Sequence, residues 1–200
     1  MSVDAAVAAL RAGRLAVVPT DTVYGLAADA GSEAAARALY AAKGRDAIQP
    51  TAVLFASVDV LLERVPELPA AAARVSRGLL PGPLTLILPN PGRRYAWLNV
   101  QRPDALGVRV PAVGGPGRAV LAALGALVAT SANLPGGADP RRAEDVPAEI
   151  AAAVDVVVDG GLLPGTPSTV LDLTGPEPLV LRQGALADVV LARVQALTDC

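Results

Sequence analysis

The chain has 200 residues, of which 52% are apolar, only 2% are aromatic, and the net charge is −2. That length fits one sizeable domain with a core of Ala, Val and Leu, and near-neutrality gives no global pull toward nucleic acid or membrane. The sequence contains no histidine, which excludes a Ser-His-Asp triad, a Cys-His pair and any histidine metal site. Cys200, the single cysteine, allows no intrachain disulfide. No basic region followed by an apolar stretch opens the chain, and no apolar run is long enough to cross a bilayer. These features predict a cytoplasmic protein with no membrane partner.

Val3, Val7 and Leu10 share a helical face and predict a helix over Asp4–Ala12, stopped at Gly13. Leu15–Pro19 is a short apolar run that reads as a buried strand. Thr20–Leu26 follows it, with a strand-end turn as the plain reading. Ser32 suits the N-cap of a helix over Glu33–Ala42. Ala52–Phe55 reads as a strand, and Ala70–Leu80 as a helix ended by Pro81-Gly82. Strands are expected over Leu84–Leu88 and Leu106–Val110, then a helix over Arg118–Leu124. Leu127–Ala129 is a short buried strand that feeds Thr130-Ser131-Ala132-Asn133, and Asn133–Pro140 is a loop. Val154–Val158, Thr169–Leu173 and Leu179–Leu181 read as strands, Gly160–Pro167 as a mobile surface loop, and Leu186–Leu197 as a closing helix. Helices and strands mix without strict alternation. The fold class is therefore α/β (mixed α+β), one domain over residues 1–200 with helices packed on a mixed sheet.

Lys43 is the single lysine among seventeen basic residues. An ammonium is a compact point charge where guanidinium is a broad fork, although a solvated helix end is the favoured reading of a lone lysine taken by itself. Neither common glycine-rich phosphate loop occurs. A phosphate site would need cations and hydroxyls from several strand ends, and Lys43, Arg45 and Arg182 suit it; surface ion pairing is the alternative. Ser131 and Asn133 follow an apolar strand, where ligand groups gather in open sheets, and they are also good turn formers. Arg109 lies within an apolar strand and must snorkel or find a partner, because an unpaired buried charge is costly.

Pro19-Thr20-Asp21-Thr22-Val23-Tyr24-Gly25-Leu26 and Lys43-Gly44-Arg45 begin a series of motifs. It continues through Pro81–Leu86, Val108–Pro111, Thr130–Asn133, Ser168–Leu173 and Leu181–Gly184. In this order the blocks cover about residues 3–186, and the chain resembles the YrdC family of threonylcarbamoyl-AMP synthases in its short form. The resemblance implies a twisted α/β sheet with a concave, positively lined cavity. It implies that Lys43, Arg45, Gln49, Ser131, Asn133 and Arg182 hold ATP, with Lys43 and Arg45 as the catalytic cations. Thr22, Arg109 and Ser168 would hold threonine, and Asp172 would be structural. The implied reaction consumes L-threonine, bicarbonate and ATP, with Mg2+ accompanying the ATP and no protein ligand for it evident. The product would pass to threonylcarbamoyl transferase machinery acting on tRNA, with weak tRNA binding by this chain.

Some positions depart from the family pattern. Gln49-Pro50-Thr51 replaces the usual Lys- or Asn-Pro-Leu, Ala105 replaces a frequent threonine, and Pro135 stiffens the loop after Asn133. The second domain of the longer family form is not expected here. Two other readings compete. A carbamoyl-AMP-forming domain would normally be fused to further domains, and an RNA-binding module would want more stacking aromatics than the five present.

Overall fold

A computed structural model describes residues 2–44 and 50–198. Helix α1 (Val3–Arg11) starts where Ser2 Oγ accepts from Ala5 N at 3.2 Å, and it buries Ala6, Val7, Ala9 and Leu10. Strand β1 (Ala16–Pro19) is buried throughout. It pairs antiparallel with β2 (Tyr24–Asp29), a strand not expected from the sequence. Residues Tyr-Gly-Leu-Ala-Ala-Asp are poor in β-branched side chains, so this strand exists because β1 and β6 pair with it on either side. Helix α2 (Glu33–Ala42) has the expected bounds and is capped by Ser32 Oγ, which accepts from Ala35 N.

Strand β3 (Val53–Phe55) precedes α3 (Val58–Arg64), a second element unmarked in the apolar pattern but capped by Ser57. Then come α4 (Ala70–Leu79), β4 (Leu84–Pro89), β5 (Ala105–Arg109), α5 (Gly115–Leu124) and β6 (Ala126–Ser131). The chain continues through α6 (Ala148–Ala152), also unexpected, β7 (Val156–Val157), β8 (Thr169–Asp172), β9 (Leu179–Arg182) and α7 (Ala187–Thr198).

All nine described strands join one mixed sheet in the order β7-β1-β2-β6-β3-β5-β4-β8-β9. Successive residues of a strand face opposite sides, and the core divides accordingly. Val17, Leu26, Val53 and Val128 enter one apolar cluster with α2, α4 and α7. Val18, Ala27, Leu54 and Leu127 enter the other, covered by Ala6 and Leu10 of α1 and Val120 and Leu121 of α5. Both faces of the sheet are thus covered. No helix among the described residues is long and apolar enough to cross a membrane.

The 160–167 segment carries no secondary structure, as expected of a loop, and hydrogen bonds tie it to the body of the protein. Leu163 is buried, and its N–H donates to Arg141 O at 2.8 Å. Gly165 N donates to Thr22 O at 2.8 Å, and Tyr24 Oη donates to Gly161 O at 2.8 Å.

Asp172 is structural, as expected. Its carboxylate accepts from Arg102 Nη1 at 2.9 Å and from Thr174 N and Oγ1 at 2.9 and 2.6 Å. Burial pushes this carboxyl up, but the hydrogen bonds from Thr174 and Arg102 outweigh it and hold Asp172 below its ordinary 3.8. A depressed carboxylate stabilises the fold above its unfolded pKa and loses that contribution as pH falls through the lower folded value. Asp172→Asn is therefore expected to be less stable than the parent at pH 7. The gap should narrow below about pH 4. Urea titrations of both proteins at several pH values check this; a gap that widens in acid would contradict it.

Candidate active site

A cavity of about 1000 Å³ opens along the ends of β2, β5, β6, β8 and β9. It brings together the expected residues Thr22, Lys43, Arg109, Ser131, Asn133, Ser168 and Arg182. Arg45 and Gln49 lie outside the described residues.

Lys43 caps the C-terminus of α2 and is only 5% exposed. Its ammonium donates to Ser131 O, Asn133 O and Asn133 Oδ1. Ser131 Oγ donates to the same Asn133 Oδ1 at 2.7 Å, and Asn133 Nδ2 donates to Gly137 O at 2.6 Å. This fixes the orientation of the Asn133 amide, with its oxygen toward the ammonium and the hydroxyl and its nitrogen toward the loop. The two ends of the loop are tied to one residue: Ala132 N donates to Tyr24 O at 2.9 Å, and Tyr24 N donates to Pro140 O at 3.0 Å. The expected turn role of Ser131 and Asn133 and their place in the cavity therefore hold together.

Arg109 was expected to need a partner, with a substrate carboxylate as the natural one. The structure supplies another. Arg109 Nη2 forms a salt bridge with Asp21 Oδ1 and donates to Thr22 Oγ1 at 2.8 Å. Asp21 Oδ2 also accepts from Ala112 N at 2.8 Å. The pair is buried, with side-chain exposures of 10% for Arg109 and 7% for Asp21. Burial pushes the Arg109 pKa down, the Asp21 carboxylate opposes that shift, and the Arg182 guanidinium adds to it. Two cations therefore face this end of the cavity against one carboxylate, which leaves room for an anion.

Ser168 is buried and links the two halves of this end. Its Oγ lies 2.9 Å from Thr85 Oγ1 and accepts from Arg182 Nη2 at 2.9 Å, while Arg182 Nε donates to Ser168 O at 3.0 Å. Thr20 Oγ1 lies 3.0 Å from Thr22 Oγ1 and donates to Val23 O at 2.7 Å, which sets the Thr22 hydroxyl. Asp21 and Thr85 were missed by sequence reasoning. Asp21 had a signal, since a carboxylate at a strand end complements an arginine inside a strand. Thr85 had none, because only the parallel pairing of β4 with β8 brings it to Ser168.

Tyr24 lies wholly buried beneath the cavity, and burial pushes its phenol above the usual range. Besides Gly161 O, its hydroxyl reaches Asp159 Oδ1 at 3.1 Å and accepts from Gly160 N at 2.9 Å. The 159–165 segment is thereby held against Thr22.

A family model described as "Telomere recombination" (Sua5/YciO/YrdC) matches residues 8–184. The threonylcarbamoyl-AMP synthase of Pyrococcus abyssi is 35% identical over 178 residues, covering 88% of this chain and 52% of that protein. The Homo sapiens threonylcarbamoyl-AMP synthase is 34% identical over 203 residues, covering 96% of this chain and 70% of the relative. The crystal structure of P. abyssi Sua5 complexed with L-threonine matches with a TM-score of 0.79 and 34% identity, covering 91% of this chain and 54% of that one. The chain thus spans about half the length of the archaeal relative and most of the human one. With the family model matching residues 8–184 and the fold shared with a member of that family, the chain belongs to the Sua5/YciO/YrdC family.

Proposed function

We propose that the chain is an L-threonylcarbamoyladenylate synthase, a nucleotidyltransferase that turns L-threonine, bicarbonate and ATP into threonylcarbamoyl-AMP and pyrophosphate for tRNA modification. The observation that carries this reading is one cavity with two anion-seeking ends. At one, Arg109 and Arg182 converge beside Thr22 and Ser168. At the other, Lys43 organises Ser131 and Asn133.

In this reading Arg109, held by Asp21, receives the threonine carboxylate, and the hydroxyls of Thr22 and Ser168 orient the amino acid. Its neutral amine forms an N–C bond with carbon dioxide derived from bicarbonate to give N-carboxythreonine, and the amine proton leaves with the hydroxide from bicarbonate as water. An oxygen of the new carboxylate bonds to the α-phosphorus of ATP. The bond from that phosphorus to the bridging oxygen breaks, and pyrophosphate leaves with the electron pair. Little covalent chemistry is asked of the protein, so positioning and charge stabilisation dominate. Lys43 and Arg45 supply charge for the phosphates, with Ser131, Asn133 and Gln49 at the nucleotide and Arg182 reaching it from the threonine end.

Mg2+ bound with ATP neutralises phosphate charge. The described residues fit an ion held mainly by phosphates and water, since no group of three or more His, Cys, Asp or Glu residues occurs among them.

The test is pyrophosphate release from ATP with threonine and bicarbonate added singly and together, and with carbamoyl phosphate as a separate substrate. Release is expected only when threonine and bicarbonate are both present. Release with carbamoyl phosphate alone would move the chain to carbamoyl-AMP formation. No release from folded protein would refute the synthase reading.

A further inference from the structure

We propose that Thr85 is a positioning residue for the amino-acid substrate, acting through Ser168, a role that rests on the threonine reading above. Strand β4 alternates between two faces. Leu84, Leu86 and Leu88 enter the apolar core, and Thr85 turns to the opposite face, in the cavity lining. The sheet runs β5-β4-β8-β9 at this edge. Arg109 ends β5 and Arg182 ends β9, while Thr85 and Ser168 stand between them, on β4 and just before β8. Leu86 pairs with Val108 in antiparallel register, so Thr85 and Arg109 come next on neighbouring strands. An anion drawn to both guanidinium groups meets this pair of hydroxyls.

A guanidinium only donates, so Ser168 Oγ is the acceptor in its 2.9 Å bond from Arg182 Nη2. The 2.9 Å bond between Thr85 Oγ1 and Ser168 Oγ uses one of the two hydroxyl hydrogens, whichever residue donates it. No other hydrogen bond to a described residue takes the second. One hydroxyl hydrogen is therefore left for a ligand, beside two cations. The backbone of Ser168 is already fixed. Arg182 Nε donates to its carbonyl, and Gly184 packs so closely that a Cβ there would collide with the Pro167–Thr169 backbone. Rotation of the Ser168 hydroxyl is the freedom that remains, and Thr85 removes it. The occupant this arrangement suits is an acceptor oxygen of an amino acid. Valine would fill the same space on β4, so the hydroxyl of Thr85 is the part that matters.

The experiment titrates the full chain with L-threonine in a calorimeter and follows pyrophosphate release in parallel. Thr85→Val should weaken threonine binding and raise the threonine KM about fivefold to tenfold, with kcat and the ATP KM within about twofold of the parent. Thr85→Ser should restore most of the affinity. Thr85→Val added to Ser168→Ala should cost less than about twofold more, because the residue it acts through has gone. Thermal melts check folding, and Thr85→Ala takes the place of the valine variant if that one melts early. Parental threonine affinity in the variant without the hydroxyl would overturn the proposal and leave the threonine reading intact. An equal loss in Thr85→Ser would overturn it too, by marking packing as the cause. So would full additivity with Ser168→Ala, which would mean that Thr85 acts independently. A parent protein that binds no threonine would overturn both readings.

Discussion

Lys43→Ala is expected to lower threonine-dependent pyrophosphate release at least about tenfold, the loss typical of removing one aimed cation or donor at a site of developing charge. Two effects add here. The phosphates lose a cation, and Ser131 O, Asn133 O and Asn133 Oδ1 lose the ammonium that gathers them. Lys43→Arg should also impair turnover. Three oxygens converge on one nitrogen from a half-closed loop, and a planar guanidinium cannot present its donors from a single point. At 5% exposure there is no room for the larger group to turn outward. Steady-state kinetics of both variants decide the matter: wild-type turnover in the alanine variant would remove Lys43 from the machinery, and full activity in the arginine variant would show that charge alone suffices.

Asp21→Ala should carry the largest stability cost. It leaves the Arg109 guanidinium buried without its carboxylate, and breaking a buried pair on one side costs about 3–5 kcal/mol. The Ala112 N–H loses its acceptor as well. The double variant Asp21→Ala/Arg109→Met should recover much of that stability, because the stranded charge goes with it, but it should not bind threonine. Threonine should stabilise Asp21→Ala more than the wild type, since its carboxylate replaces the missing one. Denaturant titrations with and without threonine measure all three effects. A cost below about 1 kcal/mol for Asp21→Ala would mean that solvent reaches the pair and screens it.

The parts of this molecule legible in the sequence are those fixed by local chemistry. Helix α2 was readable because Ser32 caps it and Glu33 stands in its first turn, and its expected and observed bounds coincide. Strand β6 was readable as an apolar run, and the position of Ser131 and Asn133 at its end pointed to the cavity. Strand β2 was not readable, because its Gly and Ala residues become a strand only when sandwiched between neighbours. Helices α3 and α6 are short, and tertiary contacts rather than their own periodicity sustain them. In the site, the lone lysine and the strand arginine were visible as chemistry that needed partners. The partner of Arg109 is Asp21, 88 positions away, and that of Ser168 is Thr85, 83 positions away. Pairings of that range are made by sheet order alone.

The same sheet order has a consequence for how the protein comes into being. Thr22 lies just before the second strand, and Arg182 ends the ninth. Strands made early and late must all be in register before the two arginines meet the hydroxyls between them. Contacts this distant in sequence form slowly, and the Arg182–Ser168 side of the pocket exists only once the last strand has joined the sheet. A ligand that reaches both arginines therefore favours the finished sheet, so its affinity serves as a direct gauge of whether the last strand has docked.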